Sequence, residues 1–301
     1  MTKHISVMPE KAIDLLNVKE GGIYVDGTLG RGGHSKLILE KLKNGKLYCF
    51  DLDEEAIQES KEILKDYDNA VYIHDNFANM ADYVDKVDGI LLDLGVSSPQ
   101  FDEAQRGFSY RYDGPLDMRM NKEDSLSAYK VVNEYAEEEL ARVLWDYGEE
   151  RNARRIARSI VESRPLNTTF ELVDAIKKAL PAKVLSKKGH PAKQSFQALR
   201  IEVNHELDSL KRFLNGFDKI LNKDGRVVII TFHSLEDRLV KRAFKALSSV
   251  EDDLRIALRP EEVKKADYVL LNHGDKADDK EVENNHRAKS AIIRGIKKVN
   301  G

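Results

Sequence analysis

Tyr24-Val25-Asp26-Gly27-Thr28-Leu29-Gly30-Arg31-Gly32-Gly33-His34 is the segment from which the rest of the chain can be ordered. Gly21-Gly22 precedes it and opens a short apolar run, Ile23 to Val25, which predicts a buried strand. Behind it, Leu37, Ile38 and Leu42 recur at helical spacing. A glycine-rich loop therefore joins a strand to the start of a helix. Glycine accepts positive φ and carries no Cβ, so the backbone can come close to a ligand. Such a corner suits a nucleotide-type ligand if a sheet surrounds it; a tight turn with no ligand is the plain alternative.

The next segments supply the sheet. Lys46 to Asp51 predicts a second strand that ends in an acid. That acid lies about 20 residues beyond the loop, where Rossmann-type folds place a carboxylate on ribose hydroxyls. Asp53 is a second candidate for the same task. From Gly30 the chain runs Gly-Arg-Gly-Gly-His-Ser, so the third glycine of Gly-x-Gly-x-x-Gly is missing. That favours a ligand with a ribose and an amino-acid tail but no pyrophosphate, such as S-adenosylmethionine, over a nicotinamide dinucleotide.

The chain of 301 residues has room for one large domain or two ordinary ones. Its 41% apolar content allows a sizeable core, and its 34% charged residues nearly cancel to a net charge of −3. No global basic field exists, so contact with nucleic acid must come from local patches. The single cysteine, Cys49, falls inside the second predicted strand and reads as a small buried apolar residue. With scattered histidines and one cysteine, no zinc-type ligand spacing occurs, and no metal is expected. The first ten residues lack the apolar core of a signal peptide, and no run approaches the length of a membrane helix. The expectation is a cytoplasmic protein without membrane contact.

Further along, His4 to Leu16 reads as a lead-in with a short helix, and Glu54 to Lys65 as a helix. Ala70 to His74 predicts a third strand, followed by Asp75-Asn76-Phe77 at its carboxyl end. Val87 to Leu92, almost wholly apolar as a central parallel strand should be, predicts a fourth. It leads into Asp93-Leu94-Gly95-Val96-Ser97-Ser98-Pro99-Gln100-Phe101. Ser98-Pro99-Gln100-Phe101 resembles the Asp/Asn/Ser-Pro-Pro-Tyr/Phe pattern of methyltransferases that modify exocyclic amines, with Gln in place of the second Pro. An aromatic amine is a poor nucleophile, so hydrogen-bond acceptors on its N–H groups and a stacked aromatic suit the chemistry.

Arg106 to Met120 reads as a long ordered loop. From about Ser125 to Arg212 the strand pattern gives way to successive helices: Leu126 to Tyr135, Ala136 to Tyr147, Glu150 to Glu162, Phe170 to Leu180 and Phe196 to Leu210. Thr168-Thr169-Phe170-Glu171 is a capping box. Basic residues cluster here: Arg151, Arg154, Arg155 and Arg158, then Lys183, Lys187, Lys188, His190, Lys193 and Arg200. They are either a solvated face or phosphate contacts. The α/β pattern resumes with a helix from Leu210 to Leu221, a turn at Asn222 to Gly225 and a fifth strand, Arg226 to Thr231, leading into Phe232-His233-Ser234-Leu235-Glu236-Asp237. Leu254 to Leu258 and Tyr268 to Leu271 read as short strands, Asp275 to Glu283 as a charged loop, and His286 to Lys298 as a last strand with a basic face.

Taken together, these motifs resemble the bacterial 16S ribosomal RNA (cytosine-N4)-methyltransferases over almost the whole length. The resemblance rests on Asp26 to Ser35, Asp88 to Gln100, Arg106-Gly107-Phe108-Ser109, Asp113 to Met120, Tyr147 to Arg151 and His190-Pro191-Ala192. Phe196 to Ile201, Phe232 to Asp237 and Arg287 to Ala291 complete it. It implies a seven-strand Rossmann-like class I methyltransferase fold, α/β, with an inserted all-helical domain. The expected donor domain is 1-107 with 213-301, and the RNA-substrate insertion 108-212. It implies methyl transfer from S-adenosylmethionine to the N4 of a decoding-centre cytidine in 16S rRNA of the small (30S) subunit. Carried over by position, the donor pocket is Gly32, Gly33, His34, Asp51, Phe77, Asp93 and Gln100, while Ser98, Phe101 and His233 surround the target base. Two rivals stand beside it: a nicotinamide oxidoreductase, and a ribosome-assembly factor that binds S-adenosylmethionine without turnover. A homodimer is left open.

Overall fold

The structure, a computed structural model, describes residues 6–249 and 266–300. The chain divides into two compact units, one formed by Met1–Gly95 with Leu207–Gly301, the other by Val96–Glu206. The expected boundaries at 107 and 212 fall inside these units. Val96 and Phe101 already pack against the core of the second, and Leu210 belongs to that of the first.

The first unit is built on a mixed sheet. Its strands are β1 (Ile23–Asp26), β2 (Lys46–Asp51), β3 (Ala70–His74), β4 (Val87–Asp93), β5 (Leu221–Thr231), β6 (Tyr268–Leu270), β7 (Asp275–Lys276) and β8 (Ile292–Lys298). Seven run in the order β3-β2-β1-β4-β5-β8-β6, and the two-residue β7 pairs with β8 off this path. The first five are mutually parallel, and β8 is antiparallel to β5, β6 and β7.

Alternation along the central strands explains why both faces are covered. Val25, Ile90, Leu92, Val227 and Ile229 join one apolar cluster; Tyr24, Leu91, Val228 and Ile230 join the other. Side chains alternate across a strand, so a near-continuous apolar run buries both faces, as parallel strands require. Cys49 is buried on the second of these faces, and burial pushes its thiol pKa up.

The second unit is helical. Ala128–Glu134, Glu137–Gly148, Ala153–Glu162, Thr169–Ala179 and Lys193–Val203 close around Val131, Leu144, Ile156, Ile160, Ile176, Phe196 and Leu199. The capping box forms as expected: Glu171 N donates to Thr168 Oγ1 and Thr168 N to Glu171 Oε2, each at 3.3 Å. The loop from Arg106 is ordered from within. Arg106, 6% exposed, donates to the carbonyls of Arg119 and Met120, and Arg119 forks onto Asp117 at 2.7 and 3.0 Å.

Several expectations are corrected. The single helix expected at Phe196 to Leu210 is two, Lys193–Val203 and Glu206–Leu214, broken where His205 adopts φ of 49°. The turn at Asn222 to Gly225 lies within β5 as an irregularity, with Asp224 at φ of 65° and the β4 register shifting between Val87 and Gly89. The charged segment from Asp275 holds β7 and a helix, Asp279–Asn284. The last strand is shorter than expected, since His286–Ser290 is a 3-10 turn. Its cations are spent internally: Arg294 forks onto Asp237, and Lys297 meets Asp224 at 2.6 Å. The strand expected at Leu254 to Leu258 lies outside the described residues. Among those described, no helix is long and apolar enough to cross a membrane.

Candidate functional site

Three acids mark the carboxyl ends of β1, β2 and β4, and the glycine loop is stitched to all of them. Asp26 is 1% exposed; its Oδ1 accepts from Thr28 N at 3.1 Å and its Oδ2 from the Ser35 hydroxyl at 2.6 Å. Asp51 accepts from Gly30 N at 2.8 Å and from Asp53 N at 2.9 Å. Asp93 N donates to Thr28 Oγ1 at 2.6 Å. The backbone continues the same stitching, with Gly27 N on the Leu91 carbonyl and Leu29 N on that of Phe50. The loop is thus fixed to neighbouring strands on both sides before any ligand arrives.

Asp51, not Asp53, faces the loop. Asp53 caps the helix Glu54–Ile63, accepting from Glu55 N at 3.1 Å. Burial pushes Asp51 up to about 6; its two backbone hydrogen bonds oppose this, and the neighbouring carboxylates of Asp53 and Asp26 add to it. Asp93 is pushed up to about 7, first by burial, with His34 opposing and the Asp26 and Glu236 carboxylates reinforcing. Its Oδ1 is buried with no hydrogen-bond partner, although 23% of the side chain stays exposed. Burial raises Asp26 likewise. Burial thus raises all three acids at one sheet edge, which suits a ligand that brings hydroxyls and positive charge.

Gly30 and Gly32 take positive φ, 51° and 72°. A Cβ on Gly30 would have nothing nearer than the Thr28 carbonyl at 4.0 Å, so the backbone there is open to a ligand. A Cβ on Gly33 would meet Ser6 Oγ at 1.9 Å, so this glycine serves close packing. His34 is 5% exposed; its Nε2 donates to the Val7 carbonyl at 2.9 Å, and its Nδ1 faces Asp93 Oδ2 at 3.7 Å. It ties the lead-in segment to the loop. Phe77 opens the 3-10 turn after β3, half-buried and edge-on to Phe213 at 5.9 Å. It also lies beside the loop, because a Cβ on Gly27 would stand 2.9 Å from Phe77 Cβ.

His233 follows β5 and caps the helix Ser234–Leu247. Glu236, 2% exposed, accepts from Phe232 N and His233 N through Oε2 and lies 3.1 Å from His233 Nε2 through Oε1. Sequence reasoning passed over Glu236 and Thr28; the spacing of Glu236 three residues after the cap was the available signal for the first. The other expected residues fall in the second unit. Gln100, 5% exposed, accepts from Ser97 N at 3.0 Å. Phe101 is half-buried against the helical core. Ser98 opens the helix Ser98–Asp102, and its side chain lies outside the described residues. The first unit by itself therefore assembles Gly32, Gly33, His34, Asp51, Phe77, Asp93 and His233 at one sheet edge, and the remaining three belong to the insertion. Of the basic cluster, Arg154, Arg155 and Arg158 are exposed, whereas Arg200 forks onto Glu206 at 2.8 and 2.9 Å.

The donor set fits a sulfonium nucleoside: an acid beside the loop for ribose hydroxyls, a buried carboxylate oxygen without a partner, and open backbone at Gly30. Comparison with known proteins bears on the same point. A protein of Mesoplasma florum named ribosomal RNA small subunit methyltransferase H is 52% identical over 307 residues, covering 99% of this chain and all of its own length. One of the same name from Clostridium botulinum strain Kyoto is 59% identical over 254 residues, 81% of this chain and 82% of its own. A third, from Streptococcus pyogenes serotype M4, is 46% identical over 99% of both chains. The sequence model of the MraW methylases matches residues 1–299, and by that match the chain belongs to the MraW methylase family.

Proposed function

We propose that this protein methylates the exocyclic N4 of a decoding-centre cytidine in 16S rRNA, working in the cytoplasm on the small ribosomal subunit. The observation that carries the reading is the stitched edge at β1, β2 and β4, where the loop, Asp51 and Asp93 are held together. When bound, S-adenosylmethionine supplies an electrophilic methyl, which the cytosine amine takes up in exchange for a proton.

The chain's own residues do the rest. Asp51 accepts the ribose hydroxyls, and Phe77 covers the adenine side. The loop around Gly32 and Gly33 receives the amino-acid tail, with His34 fixing its base. Asp93 places a carboxylate near the positive charge. His233 accepts an N–H group of the target base, which turns the amine lone pair toward the methyl group. The base must leave its stack to reach it. The exposed arginines of Ala153–Glu162 supply phosphate contacts in the second unit.

Radiolabelled methyl transfer to 30S particles lacking the modification tests the reading. Label on N4 of one cytidine supports it; donor binding without transfer identifies an assembly factor instead.

A further inference from the structure

A second cleft opens beside His233, at the end of β5 away from the glycine loop's own residues. It has a volume of about 460 Å³ and is lined by Thr231, Phe232, His233, Ser234, Asp237, Arg238, Lys241, Ser290 and Ile292. Two stretches that the donor site does not use meet here, Phe232 to Asp237 and the segment ending in Ser290-Ala291.

Its chemistry is that of an anion seat. Arg238 and Lys241 lie three residues apart on Ser234–Leu247 and are exposed. Among the described lining residues the only acid is Asp237, which is neutralised by the fork from Arg294 at 2.8 and 3.1 Å. The first turn of this 14-residue helix faces the cleft through Ser234, adding the partial positive charge of a helix start. The His233 side chain is 9% exposed and lines the cleft, with its Nε2 held 3.1 Å from Glu236 Oε1. Ser234 and Ser290 add exposed hydroxyls.

We propose that this cleft seats a backbone phosphodiester of the RNA strand that carries the target base. The inference rests on the proposed function, because His233 is the residue that links the base to the cleft. A phosphodiester next to the modified nucleotide would fix the strand while the base itself turns out, so phosphate contacts position what the base pocket selects.

The test is anisotropy of a labelled single-stranded RNA hexamer containing cytidine, measured from about 50 to about 200 mM salt, on wild type, Lys241→Gln, Lys241→Arg and the double variant Arg238→Gln/Lys241→Gln. Lys241→Gln is expected to weaken binding about fivefold and to lower the slope of log affinity against log salt by about 0.7, one single-strand phosphate contact. Lys241→Arg should restore both, and S-adenosylhomocysteine affinity and Tm should stay at the wild-type values in all variants. Unchanged RNA affinity and slope in the double variant overturns the proposal. So does loss of inorganic-phosphate binding with RNA binding intact, which would mark a free-anion site. Methyl transfer separates the two readings. If wild type transfers no methyl but the RNA slopes fall as stated, the function fails and the cleft stands. If wild type methylates and the variants bind RNA as it does, the cleft fails alone.

Discussion

At the scale of single residues, the site depends on acids kept from full ionisation until a ligand arrives. Asp51 and Asp93 are raised to about 6 and about 7, so between the ordinary carboxylate range and neutrality the folded protein holds protons that the unfolded chain has released. Their contribution to stability is therefore greatest below about pH 4 and is lost as pH rises through those values. A ligand bringing positive charge and hydroxyls favours the ionised acids, so donor affinity should strengthen from about pH 5.5 to about pH 7.5, with protons released on binding. Calorimetry in two buffers of different ionisation enthalpy reads this; a flat profile would remove both acids from the donor site. Replacing Asp51 by Asn should cost about 2 kcal/mol of donor binding, about thirtyfold in Kd, since a charged acceptor is lost. Unchanged affinity would take Asp51 out of the pocket.

At the scale of elements, close approach sets the tolerance of the loop. A Cβ on Gly27 would stand 2.3 Å from Leu92 Cδ2. Gly27→Ala should destabilise the protein by about 1–3 kcal/mol and weaken donor binding with it, as denaturant titration with and without donor would show. The parallel strands were legible because each is an apolar run ending in a polar residue at one edge. Asp26, Asp51 and Asp93 could thus be aligned from sequence alone. What was not legible has physical causes. Apolar spacing continues through Asn204 and His205, so the helix break there leaves no mark in the periodicity. Asp275–Lys276 is too short and too polar to read as a strand, and pairs only because β8 offers it an edge. The basic residues of the last strand read as a free face because their partners, Asp224 and Asp237, come from remote positions in the chain. Likewise, Gln100 and Phe101 follow β4 so closely that sequence assigned them to the donor domain, while packing assigns them to the insertion.

At the scale of the whole molecule, each unit has its own apolar core, one around the sheet and one among helices. With the donor bound to the first unit as proposed, saturating donor should raise that unit's stability by about 2.7 kcal/mol at about one hundred times Kd. The helical unit should respond less. Hydrogen exchange followed by mass spectrometry separates the two: protection should rise across β1, β2 and β4 more than across Glu137–Gly148. An equal rise in both would show that they open as one.

The strand order carries a further consequence for synthesis. β4 finishes at Asp93, yet its neighbour β5 begins only at Leu221, and β8, which lies between β5 and β6, ends at Lys298. A growing polypeptide therefore exposes one flank of β4 until more than a hundred further residues have been made, and β5 stays open on its other side until Ile292–Lys298 has been made as well. Arrested nascent chains that stop before Ile292 should be protease-sensitive and unable to retain donor, whereas chains that include β8 should resist digestion.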